Sequence, residues 1–79
     1  MISLLRGIVS KHDVPLLTLD VQGVGYEVQC TNTLWDQLSD GQEASIHTYT
    51  FVREDRLELF GFSSLSEKRL FIHFLSIAG

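Results

Sequence analysis

Four consecutive charges, Arg53-Glu54-Asp55-Arg56, stand between two strand-like arms, Thr50-Phe51-Val52 and Leu57-Glu58-Leu59-Phe60-Gly61-Phe62. Two adjacent carboxylates could serve as a general acid and base. That chemistry needs carboxyls that converge from separate segments onto one cleft. Neighbours in an extended chain point to opposite faces, and at a tight tip both point to solvent. Glu54 and Asp55 therefore read as a charged probe at the apex of a hairpin. An arginine on either side, Arg53 and Arg56, balances the charge.

The remaining candidates for chemistry are weaker. Gly23-Val24-Gly25 lacks the third glycine of a dinucleotide loop, because Val28 stands at that position. A strand rather than a helix follows, so there is no helix N-terminus to meet a pyrophosphate. His12, His47 and His73 are far apart and have no metal-ligand spacing. No nucleophile elbow or oxyanion loop marks a hydrolase, and the chain reads as non-catalytic, with no cofactor and no metal. The single cysteine, Cys30, ends a strand pattern and reads as a small buried hydrophobe. One cysteine in so small a domain points to a reducing compartment, since small secreted domains are rich in disulfides. No signal peptide is visible, because Arg6 interrupts the first apolar run, and no apolar run reaches the ~20 residues of a membrane span.

The elements that must hold the charged tip follow from periodicity. Ile2 to Lys11 reads as a strand, with Gly7 marking a bulge or sharp bend. His12-Asp13-Val14-Pro15 is a turn. Leu16 to Gln22 alternates and puts Leu17, Leu19 and Val21 on one face. Gly23-Val24-Gly25 relaxes the chain before a third strand, Tyr26 to Cys30. Thr31 to Leu38 is a short helix with Thr31 or Asn32 as its cap. Asp40-Gly41 is a turn. Glu43 to Val52 alternates Ala44, Ile46, Thr48, Thr50 and Val52 against Ser45, His47, Tyr49 and Phe51, and Leu57 to Phe62 returns. Ser64-Leu65-Ser66-Glu67 fits a capping box at the start of a last helix. Gly79 stands where a cap glycine belongs.

Five strands with a helix between the third and fourth is the order of an OB-fold, a mainly β Greek-key barrel. The barrel is expected over residues 1–62, and residues 63–79 form a C-terminal helix. Leu70, Phe71, Ile72, Phe74, Leu75 and Ile77 give that helix more apolar surface than one barrel face needs. The 79 residues make one small domain, 44% hydrophobic, with a formal net charge of −4. That balance argues against nucleic-acid binding by bulk charge alone.

The opening Met1-Ile2-Ser3-Leu4-Leu5-Arg6-Gly7, the segment Gly23-Val24-Gly25-Tyr26-Glu27-Val28, and Val52-Arg53-Glu54-Asp55 closing at Leu59-Phe60-Gly61-Phe62 together resemble the RuvA family. These are the Holliday-junction-binding subunits of the bacterial branch-migration machine. The resemblance runs over the whole chain, in order. It implies a cytoplasmic bacterial protein of recombination, repair and the SOS response. It implies a homotetramer that holds a four-way DNA junction open as a square, with the OB-fold domain near the four-fold axis. A middle domain with two helix-hairpin-helix motifs grips the DNA backbone, a mobile C-terminal domain engages a RuvB-type hexameric ATPase, and a resolvase joins the complex.

In that scheme Glu54 and Asp55 form the acidic pin, and four copies bring eight acids to the junction centre. Arg53 and Arg56 are placed to touch nearby phosphates, more firmly for Arg53, which lies inside the matched motif. The chain departs from the family in length. It stops where the first helix-hairpin-helix would begin, so residues 63–79 are expected to be the first helix of a truncated DNA-gripping domain. The competing expectation is an OB-fold module that binds protein and not nucleic acid. Exposed aromatics beside basic residues would speak for nucleic acid, and a smooth apolar patch would speak for a protein partner.

Overall fold

The computed structural model describes residues 1–78; Gly79, expected as a helix cap, lies outside the described residues. The strands are β1 (Leu4–Lys11), β2 (Leu16–Val21), β3 (Val24–Cys30), β4 (Glu43–Val52) and β5 (Leu57–Phe62). Helix α1 (Asn32–Gln37) lies between β3 and β4, and α2 (Leu65–Ala78) follows β5. The strands close a barrel in the order β1-β2-β3-β5-β4, with β1 also paired to β4. All pairings are antiparallel except β3 with β5. This is the OB-type barrel that the order of elements predicts.

The inward positions of the alternating strands fill the barrel. Val9, Leu17, Leu19, Val28, Leu34, Ile46 and Leu59 form one buried cluster, to which α1 contributes Leu34 and its C-cap residue, Leu38, is added. Cys30 belongs to that cluster, and burial pushes its thiol up to about 11 against a weaker opposing effect of Lys11. Gly7 marks the corner of the barrel. β1 pairs with β4 up to Ile8 and with β2 from Ile8 onward. A Cβ at Gly7 would stand 2.4 Å from the carbonyl oxygen of Asp20, so only glycine lets the two backbones approach.

Two strand starts differ from the sequence reading. The first strand begins at Leu4 rather than Ile2, because side chains take up the backbone groups of Ile2. Its N–H donates to Thr50 Oγ1 (2.8 Å), and its carbonyl accepts from Thr48 Oγ1 (2.8 Å) and Thr50 Oγ1 (3.0 Å). These bonds satisfy the two buried threonines on an otherwise apolar face. The third strand begins at Val24, two residues earlier than expected. Gln22 and Gly23, with φ of 53° and 92°, form a two-residue turn of the I′ pattern that starts the strand at once.

The capping box is met only in part. Ser64 Oγ accepts from the Glu67 N–H (3.1 Å), but Glu67 reaches back one residue further than expected. Its Oε1 accepts from the Ser63 N–H (2.9 Å), Ser63 Oγ (3.2 Å) and Thr31 Oγ1 (3.0 Å). Thr31 in turn caps α1 by accepting from the Leu34 N–H. One carboxylate thus ties the starts of both helices together.

Helix α2 buries no side chain fully. It is held to the barrel mainly by Phe71, whose ring meets Tyr49 (5.7 Å between centroids), Phe60 (5.6 Å) and Phe62 (5.1 Å). Leu70, Phe74 and Ile77 remain exposed, as the excess of apolar residues in the sequence leads one to expect.

Candidate nucleic-acid interface

The hairpin of β4 and β5 extends past the barrel. Thr50 faces Leu59, Phe51 faces Glu58 and Val52 faces Leu57. The hairpin closes with the Arg53 N–H donating to the Arg56 carbonyl (2.8 Å), leaving Glu54 and Asp55 at the apex. Both acids are exposed. Among the described residues neither is in an ion pair. The structure therefore brings the two acids together and directs them to solvent.

Alternation sorts the hairpin into two faces. The outer face runs from Tyr49 and Phe60 through Phe51 and Glu58 to Arg53 and Arg56. Phe51 and Phe60 meet edge to face, with centroids 6.4 Å apart. The Arg53 guanidinium lies over the Phe51 ring, 4.6 Å from its centroid, a cation–π arrangement. On the other face Val52 and Leu57 continue the inward-facing rows beyond the barrel core, so both are exposed.

The arginines are not simple counterparts of the apex acids. Arg53 Nε stands 3.2 Å and Arg56 Nε 2.8 Å from the same oxygen, Glu58 Oε1. The other oxygen, Oε2, accepts from Gln29 Nε2 of β3 (3.2 Å). Glu58 is 15% exposed, against 48% and 64% for the two arginine side chains. The sequence reading missed Glu58. The available signal is its position two residues beyond Arg56, on the same face of the returning strand.

β3 and β5 pair only from Val28–Cys30 to Leu59–Gly61. Toward the tip they part, leaving a cleft of about 180 Å³ lined by Glu27, Gln29, Arg56, Leu57, Glu58 and Leu59. Gln29 and Glu58 bridge this gap. Two carboxylates line the cleft against one guanidinium, so it offers a nucleic-acid backbone little attraction.

The other candidates stay apart. His12 is exposed in the first turn, with Nε2 2.8 Å from Thr18 Oγ1. His47 and His73 lie on β4 and α2. No group of metal-ligating residues is found among the described residues. No helix among them is long and apolar enough to cross a membrane. The aromatic row that could stack bases is largely taken up by Phe71, and only its upper end, Phe51 beside Arg53, adjoins the charged tip.

Residues 1–61 match the family described as the RuvA N terminal domain. The whole chain is 38% identical to the Holliday junction branch migration complex subunit RuvA of Cytophaga hutchinsonii. It is 42% identical to the protein of the same name from Thioalkalivibrio sulfidiphilus and 45% identical to that from Yersinia enterocolitica. The chain spans about 40% of the length of these relatives. With the match over 61 residues and relatives that align along the whole chain, the protein belongs to the RuvA N-terminal domain family.

Proposed function

We propose that this chain is the acidic-pin domain of a subunit that holds four-way DNA junctions open for branch migration in recombination and repair. The observation that carries the proposal is the pair of unpaired, exposed carboxylates at the apex of a braced hairpin. Two unit charges ~4 Å apart interact by about 1 kcal/mol in water and by about 4 kcal/mol at an effective dielectric near 20. Carboxylates held at a crossover therefore repel the phosphates that converge there and oppose collapse of the junction. They oppose ordinary duplex binding as well, so the pin tunes specificity rather than affinity.

The attraction comes from elsewhere. With six Lys and Arg against ten Asp and Glu, this chain is a poor counterion for DNA. A helix-hairpin-helix unit of which α2 is the first helix would supply it, and the exposed Leu70, Phe74 and Ile77 support that role for α2. Arg53 and Arg56 make secondary contacts to phosphates with the part of each side chain that solvent reaches. The subunit works as a homotetramer in the bacterial cytoplasm and itself performs no catalysis. The work of migration falls to a separate RuvB-type hexameric ATPase, with a resolvase in the same assembly. The relatives' names do not favour the competing reading, a protein-binding module with no nucleic-acid role.

The test is a gel-shift comparison of four-way junction and linear duplex at one fixed salt concentration. The full-length gene product is expected to prefer the junction, and the 79-residue chain alone to bind both weakly. Tight duplex binding by the chain alone, or no junction preference in the full-length product, would overturn the proposal.

A further inference from the structure

We infer that Glu58 is a positioning residue that keeps the apex acids unpaired by holding both flanking arginines on the outer face of the hairpin. Arg53 and Arg56 are the immediate chain neighbours of Glu54 and Asp55, and each is long and flexible enough to fold toward the apex. An ion pair formed there would be fully exposed, and water and salt would screen most of its attraction. The Glu58 carboxylate is mostly withdrawn from water and more weakly screened. It draws both Nε groups to one oxygen while Gln29 holds the other. The Phe51 ring beneath Arg53 adds a second reason for that guanidinium to stay down.

The result is a separation of charge along the hairpin. The positive groups lie on the outer face below the tip, and the apex carries two uncompensated negative charges. The Glu58–Gln29 bond also braces the hairpin against β3 across the gap where those strands part. This role rests on the pin reading given above, and the experiment separates the two.

The experiment is a double-mutant cycle in the full-length gene product, with junction and duplex affinities measured at one salt concentration. Its arms are Glu58→Gln, the apex pair Glu54→Gln/Asp55→Asn, and the triple variant. Removing one negative charge raises affinity for any DNA in both backgrounds. The clamp predicts an excess: with the apex acids present, Glu58→Gln lowers the junction-to-duplex ratio roughly two- to fivefold, the size of effect expected when exposed ion pairs exchange partners. With the apex acids neutralised, it leaves the ratio unchanged. Equal effects in both backgrounds would reduce Glu58 to a structural residue, and no effect in either would also overturn the inference. If the apex pair alone leaves the ratio unchanged, the pin reading itself fails and takes this role with it.

A second readout does not depend on DNA. In the 79-residue chain, the side-chain Nε–H resonances of Arg53 and Arg56 are expected to shift in Glu58→Gln and to stay near their original positions in Glu58→Asp, which keeps the charge. Resonances that are the same in all three proteins would show that no clamp forms.

Discussion

The β2–β3 hairpin and the β4–β5 hairpin are both antiparallel and tightly closed, yet their tips are held by different means. At Gln22-Gly23 the backbone conformation does most of the work. Both residues have positive φ, and Asp20 Oδ1 accepts from the Gly23 N–H (2.8 Å). At Glu54-Asp55 no residue adopts positive φ, and side chains brace the tip: Arg53 and Arg56 on Glu58, Glu58 on Gln29, Arg53 on Phe51. A tip fixed by its backbone conformation needs particular residues at its centre. A tip fixed by groups below it leaves its apex residues free to be chosen for charge. The two tips thus differ in what their residues are free to vary.

The largest expected effect lies where β1 packs against the first hairpin. Gly7→Ala places a methyl 2.4 Å from the Asp20 carbonyl oxygen, a backbone atom that cannot step aside. A loss of about 3 kcal/mol, the upper part of the usual overpacking range, is expected in urea unfolding. Gly23→Ala meets no atom within 4 Å, so only its φ of 92° opposes the change. Its expected cost is smaller, about 1 kcal/mol.

Cys30, at the end of β3, gives a pH-dependent effect. Its thiol is raised from 9.0 to about 11 in the folded chain. The folded state thus keeps a proton that the unfolded chain gives up. The contribution is fully present below pH 9 and is lost as pH rises through about 11. Stability measured at pH 8 and at pH 10.5 should fall less in Cys30→Ala than in the parent chain, and equal falls would show that the thiol plays no part. The smallest effect on stability is expected at the β4–β5 tip. Glu54→Gln/Asp55→Asn should change unfolding free energy by less than about 0.5 kcal/mol, because both side chains are exposed and unpaired.

The two hairpins also mark what the sequence made legible. The alternation of Leu17, Leu19, Ile46, Thr48 and Thr50 placed the barrel, and the bounds of β4 and β5 were read correctly to the residue. Such patterns are local, since a strand shows its faces through its own period. The apex acids were legible for the same reason, as charges between two alternating runs. What could not be read depends on partners distant in the chain. The threonines that hold Ile2 are 46 and 48 residues away. The hydroxyl that draws Glu67 beyond a simple capping box belongs to Thr31, 36 residues earlier. Glu58 is singled out only by strand register, which sets it across from Phe51 and within reach of Arg53 and Gln29.

The central claim is that the apex acids repel DNA and thereby reserve the protein for junctions. It is tested most directly by the duplex affinity of the full-length gene product carrying Glu54→Gln/Asp55→Asn, against the parent, at one low salt concentration. Duplex binding is expected to tighten roughly three- to tenfold, with a gain that shrinks as salt is raised. Duplex affinity that is unchanged or weakened would contradict the claim.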